Sequence, residues 1–251
     1  MDAPTQRFTN RVENYRRYRP GYPLAVTALI QETVGLSALS PIADIGSGTG
    51  IFTRNLLEAG FEVSAVEPND AMRAVAEIDL KDFPGFHSVP ATAEQTGLPA
   101  HHFSALTSAQ AFHWFKREPV REEFSRILQP NGWVFLIWNE RKPNGAPFDR
   151  EYEALLATLG QAYEGVRDRW GGKGLPDFFR PGSYQTNCYD NPQPLTWEEL
   201  RGRFLSSSYV PAEDDPRHVP LLQQLEHIFQ KHQISGQVRF EQQTCVYFGQ
   251  L

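Results

Sequence analysis

The sequence predicts an α/β fold built on an open, doubly wound, mostly parallel seven-stranded sheet. Three observations carry that reading. Strand-length apolar runs alternate with amphipathic helical stretches from residue 23 onward, the pattern of βα units. Ile42-Ala-Asp44-Ile-Gly46-Ser-Gly48-Thr-Gly50 reads as a buried strand that breaks into a glycine-rich turn and opens a helix. Trp133–Trp138 is apolar without interruption, as a strand covered on both faces should be.

Residues 1–22 read as a mobile arm rich in arginine and tyrosine. Pro23 suits the first turn of a helix, and Leu24, Ala28, Leu29 and Val34 give that helix an apolar stripe up to Gly35. Strand one follows at about 42–45, and a helix from Gly50 to Ala59 stops at Gly60. Strand two is Glu62–Val66. Asn69 or Asp70 caps the next helix, which carries Met72, Val75 and Ile78. A short strand falls near Phe86–Val89 and strand four at Phe103–Ser108. A helix over about Pro119–Leu128 then leads to strand five.

From Arg141 to Pro181 the alternation breaks. A helix around Phe148–Gly160 and a stretch holding Trp170-Gly-Gly-Lys-Gly174 read as a helical insertion. It is expected above the carboxyl ends of the strands, as a substrate cover or else as a structural decoration or dimer contact. The tail holds a strand near Tyr184–Tyr189, a helix opened by the capping box Thr196-Trp-Glu-Glu199, a longer helix over Pro216–Gln233 and a last strand at Val238–Phe248. The expected organisation is one domain over 1–251: an arm (1–22), a cofactor-binding core (23–140), the insertion (141–181) and a tail completing the sheet (182–251).

Glycines at alternate positions let the chain bend sharply and let a ligand lie against its backbone, while the helix that follows aims free N–H groups at that ligand. Glu67 closes the second strand at the distance suited to a ribose, so the turn points to a nucleoside cofactor. The dinucleotide pattern G-x-G-x-x-G needs glycine where this chain has Ile51, which disfavours a nucleotide-dependent oxidoreductase. The form D-x-G-x-G-x-G with a later acidic residue resembles the class I S-adenosylmethionine-dependent methyltransferases. Tyr15-Arg-Arg-Tyr-Arg19-Pro-Gly-Tyr22-Pro is similar to the lead-in of their small-molecule members, the trans-aconitate-methyltransferase-like (methyltransferase type 11) group. Ala93-Glu94 before Gly97-Leu98-Pro99 resembles their adenine-edge segment. Ser108-Ala-Gln110-Ala-Phe112-His113-Trp114-Phe115 resembles the exit from strand four, and Gly132-Trp133-Val134 with Ile137-Trp138-Asn139 resembles strand five. The likeness covers roughly residues 8–140, and more loosely 195–251. One departure is His102-Phe103-Ser104, where relatives carry an aspartate.

The resemblance implies a Rossmann-like sheet with an antiparallel last strand, and S-adenosylmethionine as cofactor. Asp44, Gly46, Gly48 and Gly50 would surround its methionyl part, Glu67 its ribose, Ala93 and Glu94 its adenine, and Ala109 and Gln110 its sulfonium, with Ser47 and Pro68 also in contact with it. Tyr15, Arg19 and Tyr22 would close over the site, and Arg19 can pair with a carboxylate of cofactor or acceptor. Trp114 and Phe112 either wall the pocket or face the core. His113 follows strand four and is the candidate general base, or else a group that positions the acceptor or a structural residue. The expected reaction is methyl transfer to a small organic molecule, at oxygen of a carboxylate or hydroxyl. The alternative is a non-catalytic protein that binds the cofactor as a sensor or partner subunit.

Composition narrows the field. With 251 residues, 40% hydrophobic and 12% aromatic, the chain can build a full core. A net charge of -6 argues against a nucleic-acid partner, leaving Arg16, Arg17 and Arg19 as one short basic patch. No apolar run approaches the ~20 residues of a membrane span, and residues 1–14 lack the apolar segment of a signal peptide. Cys188 and Cys245 lie far apart in sequence and are expected to be reduced core residues, so a cytoplasmic location is the default. His101 and His102 are adjacent in a loop, His227 and His232 are off one helix face, and no metal is expected. The oligomeric state is left open.

Overall fold

The computed structural model describes residues 12–35, 40–142, 145–160, 163–164 and 175–251. A seven-stranded sheet runs through the centre: β1 (Pro41–Ile45), β2 (Glu62–Val66), β3 (Phe86–Val89), β4 (Phe103–Ala109), β5 (Leu128–Arg141), β6 (Gln185–Asp190) and β9 (Gln242–Gly249), in the order β3-β2-β1-β4-β5-β9-β6. β1 to β5 are mutually parallel, and β9 runs antiparallel to both β5 and β6. The antiparallel strand therefore lies inside the sheet, with β6 at its edge.

The two-residue period of a strand explains both cores. On β5, Val134, Leu136 and Trp138 join one apolar cluster with Phe124 and Ile127 of α5 (Arg117–Ile127). Phe135 and Ile137 join the opposite one, with Ile30 of α2 (Leu24–Val34), Leu56 of α3 (Ile51–Glu58) and Leu80 of α4 (Asp70–Leu80). Gly35 ends α2 in the left-handed conformation (φ 66°), and Asn69 caps α4 by accepting from the Met72 N–H at 3.0 Å.

A third apolar cluster lies apart from the sheet. It joins Phe148, Tyr152 and Leu156 of α6 (Pro147–Ala157) to Leu200 and Phe204 of α8 (Trp197–Leu205), Leu225 and Phe229 of α9 (His218–His232), and Val238 and Phe240. A separate antiparallel ribbon, β7 (Gln193–Thr196) with β8 (Gln237–Phe240), belongs to it. The insertion and the tail thus share one core. The short α7 (Leu175–Phe178) instead packs on the main sheet, and Trp170–Gly174 lies outside the described residues.

Four expectations need correction. The arm is not loose over its described part: α1 (Val12–Tyr18) is docked, with Arg16 on Asp79 (2.6 Å) and Tyr18 filling the space where Gly202 has no side chain. The last strand is two strands, broken at Glu241, because β8 leaves the main sheet to pair with β7. Strand five runs beyond Trp138 to Arg141, held by β9. Cys188 and Cys245 are not reduced: they face each other across β6 and β9 and form a disulfide, because strand pairing brings together residues 57 apart in sequence. That removes cysteine separation as a reason for a reducing compartment. No helix among the described residues is long and apolar enough to cross a membrane.

Candidate functional site

The site lies at the carboxyl ends of β1, β2, β4 and β5, where an open α/β sheet binds its ligands. β1 ends at Ile45 and the chain turns through Gly46, Gly48 and Gly50, each in the left-handed region (φ 72°, 58° and 81°). The turn is pinned to β2: the Gly46 and Ser47 N–H groups donate to the Val66 carbonyl at 2.8 and 3.1 Å. Gly46 and Gly50 are packed tight, since a Cβ would fall 2.5 Å from Ala111 Cβ and 2.7 Å from Leu80 Cδ1. Gly48 is open, with only Met72 Cε at 3.7 Å. One glycine therefore faces empty space for a ligand, and the two flanking it hold the turn down.

That space is a cavity of about 270 Å³. Gly46, Gly48, Glu67, Pro68, Asn69 and Met72 form one wall, Thr92, Ala93 and Glu94 a second, and Ala109, Gln110, Ala111, Trp114, Phe115 and Lys116 a third. Tyr15 closes over it. A smaller cavity of about 30 Å³ adjoins it through Tyr15, Gly46, Gly48, Ala109 and Gln110. Asp44, Ser47, Arg19, Tyr22 and Asn139 line that second space.

The two acids of the motif are held differently. Glu67 Oε2 accepts the Gly48 N–H at 2.9 Å and Oε1 accepts the Asn69 N–H at 2.8 Å. Burial raises its pKa against those two hydrogen bonds. Asp44 is 1% exposed, accepts from the Thr53 and Thr107 hydroxyls at 2.7 and 2.9 Å, and is pushed up to about 6 by burial. Glu94 accepts the Lys116 N–H at 2.9 Å, tying the 92–94 wall to the start of α5. Deeper along α5, Glu123 accepts from the Thr96 N–H and hydroxyl at 2.9 and 2.5 Å. Gln110 stands in the left-handed region (φ 59°) with its N–H on the Ile137 carbonyl at 2.9 Å. Burial raises the Tyr15 and Tyr22 phenols, Tyr22 strongly, so both stay neutral donors.

Every expected cofactor contact except Gly50 lines one of the two cavities, as do Tyr15, Arg19, Tyr22 and Trp114. Gly50 instead packs beneath the turn, against α4. Of the expected roles of His113, its placement agrees with the structural one: it lines neither cavity, and the Trp138 indole N–H donates to its Nδ1 at 3.5 Å. The three-residue 3₁₀ turn Phe112–Trp114 explains this, since it sends Trp114 to the cavity and Phe112 to the core. Asn69, Met72 and Asn139 were missed as lining residues. For the first two the signal was present, as they start the helix just after Glu67. Among the described residues no group of three or more His, Cys, Asp or Glu is placed to hold a metal ion.

An open glycine at the end of β1, a carboxylate at the end of β2 and a third wall beyond β3, in this strand order, fit an adenosyl cofactor. That is the arrangement of a class I methyltransferase. Residues 43–136 match the family model of the methyltransferase domain, and that stretch is an S-adenosylmethionine-dependent methyltransferase domain. An uncharacterized methyltransferase-like protein of Schizosaccharomyces pombe is 26% identical over 248 residues, covering 96% of this chain and 93% of that one. An uncharacterized methyltransferase of Mycobacterium tuberculosis is 35% identical over 163 residues, covering 64% of this chain and 62% of its own length. In fold the chain is similar to a structure from Anaeromyxobacter dehalogenans assigned as a type II methyltransferase (TM-score 0.64, 21% identity, covering 93% and 98% of the two chains). It is also similar to phosphoethanolamine N-methyltransferase 2 of Haemonchus contortus, solved with S-adenosylhomocysteine (TM-score 0.56, 14% identity, covering 96% and 57%).

Proposed function

We propose that this chain methylates an oxygen of a small organic acceptor, a carboxylate or a hydroxyl. The observation that carries the reading is the enclosure of the site. Tyr15 of α1 lines both cavities, and Arg19 and Tyr22 line the smaller one, a cover that suits a small molecule rather than a polymer. The cover is anchored from beneath: the Asn139 amide donates to the Gly21 carbonyl at 3.3 Å, while its Oδ1 accepts from the Thr244 hydroxyl at 2.5 Å.

S-adenosylmethionine, when bound, supplies a methyl group already activated on sulfur, which an acceptor oxygen takes with a lone pair as the C–S electrons return to sulfur. The protein has to orient and to exclude water, and alignment alone contributes up to roughly 7–11 kcal/mol in ideal cases. Glu67 and the open backbone at Gly48 fix the nucleoside. Ala109 and Gln110, which border both cavities, stand where acceptor and methyl donor meet. A carboxylate is ionised at neutral pH and needs no base, which agrees with the absence of His113 from the cavity linings.

Methyl transfer from labelled S-adenosylmethionine to a panel of acids, phenols and amines tests this. Label that alkali releases marks a methyl ester, and stable label on a phenol marks an ether. Label found only on nitrogen compounds, or on none of the panel, contradicts the reading.

A further inference from the structure

Asn139, which lines the smaller cavity, belongs to a closed hydrogen-bonded ring drawn from four parts of the chain. Its side-chain amide donates to the Gly21 carbonyl at 3.3 Å, and the Asn191 amide donates to the same carbonyl at 3.0 Å. The Asn191 nitrogen also lies 3.2 Å from the Thr244 hydroxyl, which donates in turn to Asn139 Oδ1 at 2.5 Å. Thr244 is fully buried and Asn139 is 8% exposed. Unpaired, such groups would be costly, and here each finds its partner inside the ring. A further contact ties the ring to the site. The Gln110 amide donates to the Asn139 carbonyl at 3.3 Å, and Gln110 borders both cavities.

The three side chains of the ring sit on fixed elements. Asn139 and Thr244 face each other across β5 and β9. Asn191 directly follows β6, and its N–H donates to the Gln242 carbonyl at 2.9 Å. The Cys188–Cys245 cystine staples β6 to β9 just before it. Gly21 is the odd member. It lies between Pro20 and Tyr22, which line the smaller cavity together with Arg19. Gly21 has no side chain, and Pro20 and Pro23 have no N–H to give, so the Gly21 carbonyl is the handle by which this stretch is held. The helix before it is tied down at the surface, by Arg16 on Asp79 and Arg17 on Glu198, with arginine side chains 45% and 63% exposed. Exposed ion pairs of that kind contribute little. Asn191 is thus placed to decide how firmly the cover sits, although it lines neither cavity itself.

We propose that Asn191 is a positioning residue for methyl transfer: with Asn139 and Thr244 it fixes the Gly21 carbonyl, and through it seats the Arg19–Tyr22 cover on the cofactor site. A primary amide suits this task, because its two N–H groups can serve the Gly21 carbonyl and the Thr244 oxygen together. Asn191 touches neither cofactor nor acceptor and acts through order alone. A cover held in place keeps the ligand in and water out. The proposal takes the cover from the reading given above, but it is independent of which acceptor atom is methylated.

Two measurements test it: release of labelled S-adenosylhomocysteine chased with excess unlabelled ligand, and amide hydrogen exchange of the ligand-free protein. Asn191→Asp keeps the side chain's shape, removes its donors and sets a negative charge against the Gly21 and Asn139 oxygens. It should speed release roughly 3- to 10-fold. Exchange should rise in the peptide over 12–22, while β6 and β9 exchange as in wild type. Thr244→Val, close in volume, drops the shared hydroxyl and should speed release as well. Because both residues act through one carbonyl, the double variant should release within about twofold of the faster single one. Release from Asn191→Asp within about twofold of wild type overturns the proposal. So does faster exchange confined to β6 and β9, which would make Asn191 a structural residue of the tail. The acceptor panel decides the oxygen-methylation reading separately: its failure leaves release and exchange as they are, and loss of the Asn191 effect leaves that reading standing.

Discussion

Glu67 Oε2 accepts the backbone N–H of Gly48 at 2.9 Å, joining the carboxylate at the end of β2 to the one open glycine of the turn after β1. The two halves of the proposed nucleoside site are thus a single bonded unit. Glu67 both lines the large cavity and holds the Gly48 backbone that borders it.

The glycines of the turn should separate stability from binding. Gly50→Ala places a Cβ 2.7 Å from the buried Leu80 at a φ of 81°, and should cost about 1–3 kcal/mol of stability through overpacking and strain. Gly48→Ala pays about 1–2 kcal/mol for the left-handed conformation but meets only Met72. Its Cβ occupies ligand space, so affinity for S-adenosylhomocysteine should fall more steeply than for Gly50→Ala. Thermal melts and calorimetry of the two variants check this, and the reverse ranking in both measurements would reject the assignment of roles.

Glu123 should govern acid stability. Its hydrogen bonds from Arg126, then those from Thr96, hold it at about 2 when folded, against an unfolded value of 4.5. A folded pKa below the unfolded one gives stability that is full above about 4.5 and is lost as pH falls toward 2. The difference in melting temperature between wild type and Glu123→Gln should therefore be constant above pH 5 and shrink below it. A pH-independent difference down to pH 3 would deny Glu123 that role. Because Glu123 grips Thr96 at the end of the 92–94 wall, the variant should also weaken binding of adenine-bearing ligands.

The cystine between β6 and β9 should contribute roughly 2–4 kcal/mol, as typical disulfides do. Unfolding the unreduced protein in denaturant should expose no free thiol, and reduction should lower the melting temperature. Two titratable thiols in that experiment would return the pair to the reduced state expected from its sequence spacing.

What was legible in the sequence was local. The strand, turn, helix and strand over 41–66 declare themselves through neighbouring residues, and the capping box at Thr196 forms as its spacing implies. What was hidden depends on contacts made across the chain. α1 is ordered by Asp79 and by the bare face of Gly202, the cystine by strand pairing, and the break at Glu241 by the β7 ribbon. His113 illustrates the limit at the site itself, because one turn of 3₁₀ helix decides which of three consecutive aromatic side chains meets the cavity.

Calorimetric titration of S-adenosylhomocysteine into the wild-type protein and Glu67→Ala tests the assignment of the cofactor site most directly. One ligand should bind per wild-type chain, and the variant should bind roughly 10- to 100-fold more weakly through loss of hydrogen bonds to a charged acceptor. Unchanged affinity in Glu67→Ala, or binding of NAD in place of S-adenosylhomocysteine, would contradict it.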